Sequence, residues 1–261
     1  MPMMMLPGRD ASVSTLLEAA SQLFRATLFK TLPEAMIAAL CAQAPLLYLT
    51  AHGIKTPLTQ PPDDPAFWML YVAGLAASLW LMSTVLLRQR TLLGGGVPDL
   101  RAELMFALRR LPVQLAAVVL AGAALSLCAY PLLVPMGALS LLLGIPMLVL
   151  AFFLIVCFFI VPCVALFEAL GPWQVLRTSV LRIRSMWWKS TAAFVIGLLV
   201  VAVCVIMASA VLGVLMGVLG NAASAPMQAL QTALALLFEA GMQCFMLALA
   251  QVLYSAASSS A

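Results

Sequence analysis

PCVALFEALGPWQVLRTSVLRIRSMWWK, residues 162–189, decides how the rest of this chain is read. It leaves an apolar run at Pro162, carries a carboxylate at Glu168 and turns at Gly171-Pro172. Basic residues then alternate with apolar ones up to Trp187-Trp188-Lys189. Pro172 suits the first turn of a helix, where its fixed φ helps and its missing N–H is not needed. Trp173, Leu176, Val180, Ile183 and Trp187 recur at steps of three and four, which predicts a helical stripe with Arg177, Arg182 and Arg184 off it. The stretch reads as an elbow between two membrane spans.

Composition supports that solvent. Of the 261 residues, 65% are hydrophobic and 8% charged, and the mean hydropathy is +1.13. A soluble domain carries about 25% charged residues, so this charge cannot cover a water-facing surface. The net charge of +4 is small. With arginines beside apolar runs and no basic-aromatic RNA motif, nothing points to nucleic acid. Cys41, Cys128, Cys157, Cys163, Cys204 and Cys244 all fall in apolar segments without a Cys-x-x-Cys pair. They read as small buried hydrophobes, not as disulfide or zinc sites. His52 is the only histidine, so no His-based metal cluster is expected.

Outward from the elbow, the chain divides into apolar runs separated by breakers. Residues 1–11 are expected to be disordered and, lacking a basic head before an apolar core, to be retained. Thr15 with Glu18 fits a capping box. An amphipathic helix should follow to about Lys30, lying at a membrane interface or, alternatively, in water. Six spans are expected at about 32–50, 66–87, 112–131, 146–167, 188–217 and 227–253 within one membrane domain, 12–253, with a frayed tail over 254–261. The proline-rich loop 52–65 cannot continue a helix. Gly94-Gly95-Gly96 reads as a linker, because no Gly-Lys-Ser/Thr follows it. Pro98 suits the start of a second short amphipathic helix. Leu111 to Phe167 is free of charge for 57 residues, enough for two spans. The break lies among Pro131, Pro135, Gly137, Gly144 and Pro146, so 131–145 is either a loop or a re-entrant segment.

With six spans, twelve of the thirteen basic residues fall on one side, Lys55 being the exception. The positive-inside rule makes that side cytoplasmic, with both termini there. Trp173, Trp187 and Trp188 sit near the same boundary, where amphipathic rings favour the headgroup zone. Each pair of spans follows a short basic helix: LFKTLP at 28–33, ALRRLP at 107–112 and RIRSMW at 182–187. The expected fold is therefore an all-α bundle of six transmembrane helices. It is built as three hairpins, each preceded by an amphipathic interfacial helix, whether by duplication or by convergent membrane-edge composition. Arg25, Lys30, Arg109, Arg110, Arg177, Arg182, Arg184 and Lys189 are candidate contacts to anionic lipid, each worth about 1 kcal/mol near such a surface.

Glu239 is a carboxylate in mid-span, a functional-site hypothesis by default. Gln228, Gln231, Glu239 and Gln243 fall within an arc of about 120° at 100° per residue, a polar stripe expected to face the bundle. It forms either a path or pocket for a polar group or an interhelical hydrogen-bond seam with Glu239 protonated. Gly213 and Gly217 are spaced for close helix packing, within the bundle or between two copies. Glu168 and Arg177 are expected to pair across the elbow as a clamp, the other reading of Glu168 being a catalytic acid. No catalytic motif, cofactor site or metal site is recognised.

The elbow resembles a family of six-span bacterial inner-membrane proteins that includes the YciC-like proteins and is similar to the membrane domain of some glycerophosphodiester phosphodiesterases. That family has a proline ending span four, then a Glu, a Gly, an Ala-Leu-Arg-x-Ser run and an aromatic pair. Here these are Pro162, Glu168, Gly171, Val175-Leu176-Arg177-Thr178-Ser179 and Trp187-Trp188. Val175 replaces Ala, Arg182 stands where Leu is common, and Ser185 replaces Gly. The resemblance implies a multi-pass inner-membrane protein and supplies no activity, since the phosphodiesterase chemistry belongs to a separate domain. The expected function is a non-enzymatic accessory protein acting on envelope lipids or on a membrane partner through its basic face. The alternative is a small transporter or channel using the stripe around Glu239.

Overall fold

The computed structural model describes residues 6–52, 62–133, 138–219 and 225–259, with side chains described outside 132–143, 212 and 215–229. All regular structure among the described residues is helical: α1 (Val13–Ala51), α2 (Pro65–Leu93), α3 (Leu100–Leu133), α4 (Ala138–Phe158), α5 (Val161–Phe167), α6 (Pro172–Arg184), α7 (Trp187–Leu219) and α8 (Ala225–Ser258). Six stretches are long and apolar enough to cross a bilayer, α4 and α5 together forming one of them. The chain is an all-α, multi-pass membrane protein.

Helix α1 has 39 residues, about 58 Å at 1.5 Å per residue. That is nearly twice the ~30 Å hydrocarbon core of a bilayer, so α1 must extend beyond it. The segment expected as a separate interfacial helix and the first span are thus one helix, and α3 joins the second such segment to span three in the same way. Pro33 and Pro112 lie inside these helices. Each removes one N–H without ending the helix, because neighbouring helices support the backbone around it. Only the third basic segment, α6, stands alone. It ends where Ser185 caps Arg184 and the chain turns through Met186 into α7.

Several boundaries differ from the expected ones. The cap of α1 is Ser12, whose Oγ accepts the Thr15 amide at 3.2 Å, so Thr15 lies inside the helix. The cap of α3 is Asp99, whose Oδ1 accepts the Arg101 and Ala102 amides, and Pro98 precedes it. Residues 131–133 and 138–145 are helical, so 131–145 is not one long loop; residues 134–137 lie outside the described residues. Span four begins earlier than 146, with Pro146 inside α4. Pro162 opens α5 instead of closing a span. The tail expected to fray remains helical to Ser258, with Ala256 fully buried. Residues 6–11, expected to be disordered, are held at the elbow: Leu6 packs on the core, Arg9 donates to the Ser185 carbonyl and Lys189 donates to the Arg9 carbonyl. The Gly94–Gly96 linker turns through Gly95 at φ +70°, a conformation a side chain disfavours.

Helix α1 packs on α2 and α8, α3 joins α2 to α4, and α6 lies against α3, α4 and α5. The largest buried cluster gathers Leu16, Leu23, Ile160, Val164, Ile183 and Leu253, from the start of α1, the α4–α5 turn, α5, α6 and the end of α8. Those are the ends that carry the basic residues. At the other end the bundle loosens: α7 exposes Val203, Ile206, Met207, Val211 and Val214, and α8 exposes Leu230, Leu237 and Phe238.

Gly74 sits where α2 crosses α1, and an added Cβ would run into the Cys41 carbonyl oxygen. Gly213 has open space where its Cβ would be. The Gly213 position therefore does not pack within the bundle, and the side-chain surroundings of Gly217 lie outside the described residues. Gly74→Ala is expected to lower stability by about 1–3 kcal/mol through overpacking, and Gly213→Ala to stay within about 0.5 kcal/mol. Thermal unfolding of the two variants in detergent measures the contrast.

Candidate functional site

At the basic end, charge is taken out of water in two centres. The first is the elbow. Pro162 starts α5, Glu168 ends it, and Gly171 caps α6 and donates its N–H to the Gln174 side-chain oxygen at 3.3 Å. Ser179 Oγ donates to the Cys157 carbonyl at 2.5 Å, fixing α6 to α4. Glu168 pairs with Arg182 at 2.5 Å, and the Tyr254 hydroxyl donates to the same carboxylate at 3.0 Å. Arg182 also donates to Ser258 Oγ at 2.8 Å and stacks over the Tyr254 ring. The expected partner Arg177 is exposed and points away. Eight-tenths burial of both Glu168 and Arg182 and their helical offset from Arg177 explain the difference. Arg90 of α2 covers the Phe167 ring at 4.0 Å, so the elbow is gripped from a third side.

The second centre is Arg88. Its guanidinium meets Glu34 of α1 at 2.5 Å, Glu103 of α3 at 3.1 Å and the Lys30 carbonyl at 2.7 Å. All three side chains are largely buried. One cation thus ties three helices, while one oxygen on each carboxylate remains buried without a partner. In the sequence Arg88 simply follows the second apolar run, and nothing there singles out the cluster. Its only signal is that each of the three charges bounds an apolar run, which does not say which run meets which.

The candidate lipid contacts divide accordingly. Arg25, Lys30, Arg109, Arg177 and Arg184 are exposed, and Arg110 lies over the Phe106 ring. Arg182 is committed to Glu168. On α6 the buried face is Val175, Leu176, Ser179 and Ile183. Trp173, expected on the helical stripe and near the membrane boundary, is 70% exposed, and Trp188 is 80% exposed. Trp173, Arg177, Leu181 and Arg184, at steps of four, four and three, form the outer face. Trp187 stacks on Phe153 at 4.6 Å. Between α6, α7 and the N-terminal segment lies a concavity of about 1140 Å³ lined by Arg9, Arg184, Trp187, Trp188 and Lys189.

The span-six stripe is only partly assembled. Gln43 of α1 and Gln243 of α8 donate to the two different oxygens of Glu239, the latter at 3.2 Å. Gln43 was not singled out by the sequence. Gln231 is exposed rather than facing the bundle, since α8 leaves its neighbours in that half, and the side chain of Gln228 lies outside the described residues. Among the described residues no group of three or more His, Cys, Asp or Glu side chains could hold a metal ion. No protein-family model, no curated protein and no solved structure matches the chain.

At the far end of the α1–α2 hairpin, Tyr48 donates to Asp64 Oδ2 at 2.7 Å and the Ala66 amide to Oδ1 at 2.9 Å. The Tyr48 hydrogen bond, and then the Ala66 amide, favour the ionised form and hold the Asp64 carboxyl below its ordinary value of 3.8. A depressed carboxyl contributes stability above its unfolded pKa and loses it as pH falls through the folded one. Hydrogen exchange at the two helix ends is expected to quicken below about pH 4, and Asp64→Asn to remove that dependence. At the other end, Arg88→Met is expected to cost about 3–5 kcal/mol by leaving buried carboxylates uncompensated. Adding Glu34→Gln and Glu103→Gln should recover part of the loss; equal unfolding midpoints for the single and triple variants would assign Arg88 a packing role only.

Proposed function

We propose that this protein is a non-enzymatic accessory protein of the bacterial inner membrane that engages anionic lipid headgroups of the cytoplasmic leaflet through its basic end. The observation that carries this reading is the concavity lined by Arg9, Arg184 and Lys189 beside Trp187 and Trp188. Its cations can meet phosphate oxygens, and its rings suit the boundary between headgroup and chain. The outer face of α6 continues the same chemistry. Trp173 and Leu181 offer apolar surface, and Arg177 and Arg184 offer charge, at one helical register. Arg9 and Lys189 bridge the N-terminal segment to the elbow through backbone carbonyls, so the site is partly preorganised. The orientation follows from the positive-inside count, and the bacterial inner membrane from the resemblance to YciC-like proteins. A membrane-protein partner on the same face is compatible with this reading.

The transporter reading calls for a polar route to Glu239. The space beside Glu239 is instead walled mainly by Val201, Val205, Ala208, Phe238, Met242 and Met246, which supports the accessory reading over passage of a polar solute.

Native mass spectrometry of the protein from mild detergent, offered phosphatidylglycerol against phosphatidylcholine, tests the proposal. Wild type is expected to retain phosphatidylglycerol preferentially. Arg184→Ala with Lys189→Ala should weaken retention about thirtyfold, from two contacts of about 1 kcal/mol each. Equal retention of the two lipids, or no change in the folded double variant, would sink it.

A further inference from the structure

We propose that the lateral cleft between α7 and α8 is a binding site for a lipophilic cation, with Glu239 as its counter-charge. The cleft is about 460 Å³ and is lined by Val201, Val205, Ala208, Phe238, Met242 and Met246, together with Glu239, Gln243 and Ser209. That volume lies within the range of about 300–1,000 Å³ typical of small-molecule sites, which are mostly apolar with a few convergent polar groups. It opens on the loosely packed side of the bundle, where Val205, Ser209 and Phe238 are exposed.

The charge on its wall selects the occupant. Glu239 is the only acidic or basic side chain of α8, and α7 has none beyond Lys189. It lies 14 residues from the start of α8 and 19 from its end, about 21 Å and 29 Å along the axis, away from either aqueous boundary. Among the described residues no cationic side chain pairs with it. Gln43 and Gln243 nevertheless bring an amide donor to each of its oxygens from two helices. The two amides fix the carboxyl group on the cleft wall with no cation of the described residues beside it, and an acidic group placed in an apolar site is best met there by a positive partner. A cation with apolar substituents answers both features: its body covers the valine, methionine and phenylalanine surface, and its charge meets Glu239. This site is separate from the basic concavity and does not depend on headgroup binding there.

Binding of tetraphenylphosphonium to the full-length detergent-solubilised protein, measured by calorimetry, tests the proposal against tetraphenylborate, an anion of the same shape. Wild type is expected to bind one tetraphenylphosphonium per chain saturably and tetraphenylborate at least tenfold more weakly. Glu239→Gln, with its melting temperature checked, should weaken the cation at least tenfold. Ala208→Phe, which fills the cleft without touching the carboxylate, should do the same and decides alone if Glu239→Gln unfolds. The Arg184→Ala, Lys189→Ala double variant should bind tetraphenylphosphonium like wild type, which separates this site from the headgroup site. Absence of saturable cation binding to folded wild type, equal binding of the two ions, or unchanged affinity in either folded cleft variant would overturn it.

Discussion

A guanidinium removed from water must be met by carboxylate and carbonyl oxygens, and that requirement organises the basic end of this bundle. Arg88 satisfies it with groups from α1 and α3, and Arg182 satisfies it with Glu168 and Ser258. Neither complete arrangement is available to an isolated hairpin, because Arg88 draws on both α1 and α3, and Arg182 draws on the end of α8 as well as on the adjacent Glu168. Charge pairing of this kind adds little net stability over an apolar core. What it contributes is register: a helix that slid by one turn would leave a buried charge unmatched. Helices joined mainly by apolar contact in a bilayer lack the hydrophobic drive that acts in water, so such register pins matter more here.

The two ends of the molecule differ for the same reason. Where charges are paired, small residues and tight contacts follow, as in the cluster around Ile160, Val164 and Ile183. Where α7 and α8 carry no such pins, the helices separate and leave a cleft. Glu239 stands at the junction, held by amides from α1 and α8 rather than by a cation. The loose end therefore holds a carboxyl group with no cationic partner among the described residues, while the tight end carries exposed basic residues.

The length of the helices links fold to function. Because α1 and α8 are each longer than a bilayer core, their ends at the basic face pack together with α6 and the N-terminal segment. Trp188, Arg184 and Lys189 are then presented by a rigid support instead of a floppy loop. A basic residue held in place loses less side-chain entropy on meeting a phosphate than one on a mobile tail.

Much of this was legible in the sequence. Charge-free runs long enough to span a bilayer, prolines and glycines between them, and the one-sided placement of arginine determined the all-α class, the six crossings and the elbow at 162–189, because each is a local consequence of hydropathy or backbone geometry. The merging of the first two basic segments into their spans was not legible. A proline inside a helix ends or only bends it according to the helices packed around it, and Pro33 and Pro112 look alike in either case. Nor could spacing choose Arg182 over Arg177 for Glu168, or bring Gln43 to Glu239 and Arg88 between Glu34 and Glu103. Those choices rest on which faces of the packed helices meet. Pairing across a bundle depends on crossing and rotation of whole helices, which no single segment encodes, and so the tertiary structure alone decided which charges are neutralised and which stay exposed.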